Sequence, residues 1–139
     1  MQASRLTEIA AMSTNQLGAL SRIQLRTLNA TQVGALATSQ IAAMSTVQVS
    51  NFAVTQLGAL SQSQLGAMSS TQINALTAIQ IQGLSNTQIG GLSFAQIDGL
   101  STPQIGAFTT SEISALTPTQ ISAMLPSQIG GITQAQIDA

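Results

Sequence analysis

The chain has 139 residues, of which 44 % are hydrophobic and only 5 % are charged, and its formal net charge is −1. Three arginines and three phenylalanines give neither the basic field nor the stacking aromatics that nucleic-acid binding requires, and the absence of histidine and cysteine removes the commonest acid–base and nucleophilic groups. No apolar run approaches the roughly 18 residues of a membrane span.

The first residues, MQASRLTEIAAM, lack the basic start and the solid apolar segment of a secretory signal peptide. We therefore expect any export of this chain to depend on a signal at its C-terminal end or on a larger parent chain. The absence of cysteine leaves the redox compartment open and is compatible with an extracellular protein.

An eight-residue repeat without a slip in its frame runs through the chain. Glutamine stands at every eighth residue from Gln16 to Gln136, and glutamate takes its place at Glu8 and Glu112. We number the octad cap, x, x, Gln, Ile, small, Ala, Leu as positions 1 to 8, so that Ser69–Leu76, SSTQINAL, is one unit. The sequence predicts a single continuous array over residues 1–139, about 17 octads with no linker.

Positions 1 and 4 form a capping box. Position 1 is almost always Ser, Thr or Asn, whose side-chain oxygen can accept from the free amides at a helix start, and the Gln or Glu three residues later can reach back to the cap amide. Because only glutamate replaces glutamine, the pattern favours capping over a pure ladder of amides or a glutamine buried for packing. The capping residues singled out are Glu8, Gln16, Gln72, Gln104, Glu112 and Gln120.

The prolines test this interpretation independently. Pro118 and Pro126 occupy position 2 and Pro103 position 3, within the first helical turn, where a missing amide costs nothing. Leu125 has no capping oxygen, so we expect Pro126 to set the local geometry alone.

Positions 5 and 8 are apolar and lie on one helical face, while positions 6 and 7 are mostly Ala or Gly, which lets another backbone come close. Burying one Ile and one Leu yields about 3–6 kcal/mol against roughly 12 kcal/mol for ordering eight residues, so octads must share a continuous core. The predicted core includes Ile73, Leu76, Ile81, Leu84, Ile89, Leu92, Ile97 and Leu100.

The fold prediction is an all-α solenoid, a superhelix of short two-turn helices, each about 10 Å long. One continuous helix is disfavoured because the apolar stripe would advance by about 80° per octad. A parallel β-solenoid is the main alternative, although it would place Ile and Leu, three residues apart, on opposite faces. Odd and even octads do not alternate, so the number of octads per superhelical turn stays open.

The ends and the few charges suggest how the array could be used. The chain stops within an octad, at Ile137–Ala139, without a polar cap, so it is expected either to be part of a longer array or to meet other copies head to tail. Arg5, Arg22 and Arg26 lie near one end and three of four acids near the other, which could bias such stacking.

The residues offer little chemistry. Glu8 and Glu112 are thirteen octads apart, and Asp98 and Asp138 share position 6 but are also distant, so we predict no enzyme, cofactor or metal site. Phe94, at a variable first-turn position, is the side chain to watch as a contact point. The hydroxyl-rich variable positions suggest ice or water binding, but taken together they are too mixed for a flat lattice match.

The strings TQIGAL and TQINAL with ALT or ALS joints resemble the TTAQIAAL-type octad arrays of very large bacterial surface or secreted, adhesin-like proteins. Paired glycines in IGGL and IGGI, and the stretch VQVSNFAV, depart from that pattern. The resemblance implies a non-enzymatic spacer, stalk or self-assembling fibrous segment at the cell surface or outside the cell. The partners expected are further copies or flanking repeats, with neither nucleic acid nor membrane insertion. The alternative is a binding module, either an adhesin surface or an ice- or water-ordering array.

Overall fold

The computed structural model describes residues 8–138, except the side chain of residue 135, and every regular element in this range is a helix. The predicted all-α solenoid is confirmed, and the parallel β-solenoid is wrong, since the described residues contain no strand. The helices are α1 (8–11), α2 (Thr14–Gly18), α3 (Arg22–Arg26), α4 (Ala30–Gly34), α5 (Thr38–Ala42), α6 (Thr46–Ser50), α7 (Val54–Gly58), α8 (Gln62–Gly66), α9 (Ser70–Asn74), α10 (Ala78–Gln82), α11 (Asn86–Gly90), α12 (Phe94–Asp98), α13 (Thr102–Ala107), α14 (Thr110–Ala115), α15 (Pro118–Ala123), α16 (Pro126–Ile129) and α17 (Gln134–Ile137).

The helices α2 to α17 have four to six residues, which is shorter than the two turns expected. In α9, the Ala75 amide bonds to the carbonyls of Thr71 and Gln72, and the Leu76 amide then bonds to the Ile73 carbonyl, three residues back, at 3.1 Å. The next cap, Thr77, is extended, with φ −75° and ψ 164°. Each octad therefore uses its last residues to tighten the helix and to change direction, and little more than one turn stays regular.

Three octads make one turn of the superhelix. Helices that are three apart along the chain pack against each other; α5, for example, contacts α2 and α8, and α11 contacts α8 and α14. One superhelical turn thus contains 24 residues, and the solenoid has three lateral faces, each formed by every third helix. This settles the number of octads per turn that the sequence had left open.

The core is a continuous apolar column inside these turns. The predicted core residues are 0–5 % exposed, and they belong to one cluster that runs from Ile9 to Met124. Phe52 and Phe108 occupy position 8 of their octads and are 3 % exposed. Because each octad contributes only two large apolar side chains, its core is completed by the turns above and below it.

The small residues at positions 6 and 7 allow neighbouring turns of the solenoid to approach each other closely. The described residues have no positive φ, even at glycine, so the glycines are not needed for a left-handed backbone. A Cβ on Gly106 would lie 3.3 Å from the carbonyl oxygen of Gly131 in the next turn, and one on Gly83 would overlap Cγ1 of Val54 in the turn below. Gly66, by contrast, has nothing within 4 Å of such a Cβ.

Candidate functional site: the joint between turns

The side chain at position 4 is the most connected group of the octad. Gln72 is only 3 % exposed. Its side-chain Oε1 accepts from the Ser69 backbone amide at 2.7 Å, and the Gln72 backbone amide donates to the Ser69 hydroxyl at 3.1 Å. Its Nε2 donates to the carbonyls of Ile41 at 3.0 Å and Met44 at 2.8 Å. Those two carbonyls lie one superhelical turn below, at the end of α5. One amide therefore closes the start of its own helix and the end of another.

We call this arrangement the glutamine joint: a position-4 side chain, the cap amide three residues before it, and carbonyls 28 to 31 residues before it. Carbonyls at a helix end lack the usual amide partner four residues ahead and keep acceptor capacity, and a primary amide supplies both an acceptor and two N–H donors in one group. The glutamines that donate to the turn below are Gln40, Gln48, Gln56, Gln64, Gln72, Gln80, Gln88, Gln96, Gln104, Gln120, Gln128 and Gln136.

The joint corrects one step of the sequence argument. The pattern favoured capping over an amide ladder or a buried glutamine, whereas the structure shows that the side chains of Gln72, Gln104 and Gln120 do all three things. A carboxylate at Glu112 keeps the cap acceptor but lacks the N–H donors of an amide, so a glutamate at position 4 does not show that capping is the only use of the other side chains there.

The remaining predicted capping residues behave differently. Gln16 is exposed, and its contacts in the described structure are those of the capping box, with its Oε1 2.8 Å from the Ser13 amide. Glu8 is exposed, and Arg5, at position 1 of the same octad, lies outside the described residues. At Leu125, Pro126 does not act alone as expected, because Gln128 Oε1 still accepts from the Leu125 amide at 2.7 Å.

Glu112 is the one described joint inside the array that holds a carboxyl group instead of an amide. It is 2 % exposed, and its Oε2 accepts from the Thr109 amide at 3.0 Å. Burial raises the pKa of Glu112 above its usual value, and the hydrogen bond from Thr109 opposes that rise only in part. The neighbouring position-4 glutamines donate to carbonyls 28 and 31 residues before them, and the residues at that spacing from Glu112 are Leu84 and Ile81.

Polar side chains at position 6 make a second kind of link between turns, which sequence reasoning missed. Arg26 Nε donates to the Asn51 carbonyl at 2.9 Å, and Asn74 Nδ2 donates to the Gly99 carbonyl at 2.6 Å, both 25 residues ahead. A signal for this was present, because five of the eight polar residues at position 6 recur every 24 residues on one face. They are Arg26, Ser50, Asn74, Asp98 and Ser122.

A second face is covered with hydroxyl and amide groups. We call the side formed by α2, α5, α8, α11 and α14 the hydroxyl face. Its side chains at positions 2 and 3 are all exposed, and positions 6 and 7 between them are almost all Gly or Ala. These side chains are Thr14, Asn15, Thr38, Ser39, Gln62, Ser63, Asn86, Thr87, Thr110 and Ser111.

Phe94 is 58 % exposed and borders a shallow groove of about 230 Å³ at a corner between turns. Ser93, Gly90, Thr117 and Thr119 also line this groove. It contains an aromatic ring and hydroxyl groups but no ionisable side chain, so it offers contact surface rather than reactive groups.

Comparison with known protein families identifies the family of the repeat. A family model described as the ALTTAQ repeat matches residues 9–46 and 79–110, which together make up half of the chain. The chain belongs to the ALTTAQ repeat family. In this ALTTAQ chain, residues 35–40 of the first matched range, ALATSQ, run from the end of α4 through the cap Ala37 to Gln40.

Comparisons of the ALTTAQ chain with curated proteins and with solved structures returned no match. Within residues 8–138, no three His, Cys, Asp or Glu side chains lie close enough to hold a metal ion. In the same range, no helix is long and apolar enough to cross a membrane.

Proposed function

We propose that this ALTTAQ array is a non-enzymatic structural element, a rigid spacer or stalk whose length is set by the number of octads. The observation that carries the proposal is the joint itself. The same buried bonds, 28 to 31 residues apart, recur from Gln40 to Gln136 and tie each turn to the one below. A stack held by one repeated contact can be lengthened by whole turns without a new interface.

The spacer proposal predicts length from sequence. Packed helices are about 8–10 Å apart, so each 24 residues should add about that distance and residues 8–138 should form a body about 50 Å long. Duplicating residues 37–108, which is three whole turns, should lengthen the particle by about 25–30 Å in small-angle X-ray scattering. An unchanged maximum dimension, or a flexible profile, would count against a rigid spacer.

We also propose that turns of separate copies stack end to end. At one end of the described structure the Gln16 and Gln24 side chains are exposed, and at the other end Ile121, Ile129 and Ile137 are 39 %, 45 % and 64 % exposed. A further turn of octads, from a second copy or from a longer chain, would supply carbonyls to the first end and apolar cover to the second.

Electron microscopy and analytical ultracentrifugation of the 139-residue chain test this stacking. Filaments or oligomers that grow with concentration are expected, and Ile129→Arg should abolish them. Ile79→Arg is the matched control, because Ile79 is 69 % exposed on a lateral face and should leave assembly intact. A monomer at all concentrations, or equal effects of both variants, would refute end-to-end assembly.

The proposed location is the bacterial cell surface or the extracellular medium. The support is the resemblance of the octads to arrays in large bacterial surface and secreted proteins, together with the absence of cysteine. Antibody labelling of intact cells that produce the protein should detect the array from outside. Labelling only after permeabilisation would contradict this location.

A second candidate function, ordering of water or binding to ice, gains support from the hydroxyl face. When all three faces are pooled, the variable positions are mixed, but this face alone presents a regular surface of Thr, Ser, Asn and Gln. Thermal hysteresis of the purified chain tests it. Activity lost in Thr38→Tyr but retained in Thr46→Tyr, on another face, would support it, and no hysteresis at millimolar concentration would end it.

A further inference from the structure

Glu112 occupies position 4 of its octad, like the joint glutamines, but it carries a carboxyl group instead of an amide. The flanking joints show what the site requires: Gln104 Nε2 donates to the carbonyls of Ile73 at 2.9 Å and Leu76 at 2.8 Å, and Gln120 Nε2 bonds to its own pair in the same way. The equivalent carbonyls for Glu112, 31 and 28 residues before it, are those of Ile81 and Leu84. A carboxylate has no hydrogen to give them.

The capping half of this joint is intact in either charge state. Thr109 donates its amide to Oε2 at 3.0 Å, and the Glu112 amide donates to the Thr109 hydroxyl at 3.1 Å. The difference lies in the second oxygen. As a carboxylate oxygen it would lie against two carbonyl oxygens in a site that is 2 % exposed, and as a hydroxyl group it can donate to one of them.

We propose that Glu112 is a proton-gated joint: its neutral carboxylic acid ties α14 to the end of α10 one turn below, and loss of the proton to solvent loosens the solenoid at this one turn. The proton sits on the second oxygen and bonds to the carbonyl of Ile81 or Leu84. No other joint described between Gln40 and Gln136 can switch in this way, because each of the others holds an amide.

Among the residues that the structure describes, the surroundings of Glu112 contain no charge that would override this switch. The helices packed against α14 are α11 and α17, and neither contains an ionisable side chain; nor do α10, α13 or α15. Asp138 follows α17 but is exposed, and its Oδ1 accepts from Gln134. Asp98, at the end of α12, is exposed as well. The protonation of Glu112 is therefore governed by its burial and its own hydrogen bonds.

The sign of the effect follows from the direction of the shift. Because the pKa of Glu112 is raised in the folded chain, the stabilisation is present below the unfolded value, near 4.5, and is lost as pH rises through the folded value. The wild-type chain should therefore become less stable between mildly acidic and alkaline pH, and a chain with glutamine at this position should not share that loss.

Urea unfolding of wild type and Glu112→Gln, followed by far-UV circular dichroism from pH 4 to pH 8, is the primary test. The variant keeps the cap acceptor and gains two donors. At pH 8 its unfolding equilibrium constant should be about tenfold lower than that of wild type, and the gap should shrink towards pH 4. A gap that does not change with pH, or no gap at any pH, overturns the proposal.

Two further measurements distinguish a proton on Glu112 from a bound cation, and a pH-dependent joint from a general loss of stability. Gln72→Glu should acquire the pH dependence of Glu112, because it recreates the same arrangement in another joint. Infrared spectra recorded from pH 4 to pH 8 should show a carboxylic-acid band in wild type that Glu112→Gln lacks and that disappears as pH rises through the folded pKa of Glu112. If Ca²⁺ or Na⁺, instead of a proton, restores wild-type stability at pH 8, the site is a cation site and the proton-gated joint is wrong.

Discussion

Replacing one buried joint glutamine by alanine should cost far more stability than replacing an exposed one. Gln72→Ala removes the acceptor for the Ser69 amide and the two donors to the carbonyls of Ile41 and Met44. At about 1 kcal/mol for each hydrogen bond, plus the loss of buried side-chain packing, the expected cost is about 3–5 kcal/mol. That is a large part of the roughly 5–15 kcal/mol typical of folded domains.

Gln16→Ala is the matched control, since it removes the same side chain from the same octad position. Gln16 is exposed and contributes its capping contacts, with the Ser13 amide at 2.8 Å. Its loss should cost about 1 kcal/mol, which is typical of a helix cap. The two variants therefore isolate the part of the joint that connects one turn to the next.

Equilibrium urea unfolding, monitored by far-UV circular dichroism, measures both costs, and amide hydrogen exchange at α5 and α9 locates them. Gln72→Ala should lower the unfolding free energy by at least about 2 kcal/mol more than Gln16→Ala, and it should speed exchange at the end of α5. Equal losses for the two variants would refute the idea that buried glutamines hold the turns together.

Other predictions concern the small positions, the caps and the secondary structure. Gly83→Ala should destabilise the folded chain by about 1–3 kcal/mol because the new Cβ would overlap Val54, and adding Val54→Ala should restore the lost stability. Gly66→Ala, where a Cβ would meet open space, should stabilise the chain by about 0.5–1 kcal/mol. Thermal unfolding measures all of these changes. Ser69→Ala should lower the free energy of unfolding by about 1 kcal/mol, and Ala37→Ser, which adds a missing cap, should raise it by about 0.5 kcal/mol. Chemical denaturation measures both changes, and two neutral results would contradict the capping role. The far-UV spectrum should be helical, and a β-type spectrum would contradict the fold.

The sequence predicted the helix starts and the core because each depends on contacts within one octad or on a fixed apolar position. A cap at Ser69, a donor three residues later and an apolar pair at Ile73 and Leu76 are local features with local causes. The apolar pair and, in most units, the cap recur along the array, so the sequence supplies many repetitions of the same observation.

The connection between turns could not be predicted in the same way, because its partners are about 30 residues apart. Nothing within one octad shows that Gln72 reaches Met44, and a capping role alone explained its conservation along the repeat. The length of the helices was overestimated because the last residues of each octad bond three residues back and redirect the chain. The 24-residue spacing of Arg26, Ser50, Asn74 and Asp98 was the available sign of three faces.

The number of octads per turn is the central claim, and cysteine pairs measure it directly, because the chain has no cysteine of its own. A Cβ at residue 83 would lie 3.3 Å from Cβ of Val54, close to the separation of about 3.8 Å in disulfides. Val54→Cys should therefore cross-link with Gly83→Cys under mild oxidation, as seen on a non-reducing gel. It should not cross-link with Ala75→Cys or Gly91→Cys, the partners expected for two or four octads per turn. Rapid cross-linking to either of those positions, with none to residue 83, would contradict the three-octad solenoid.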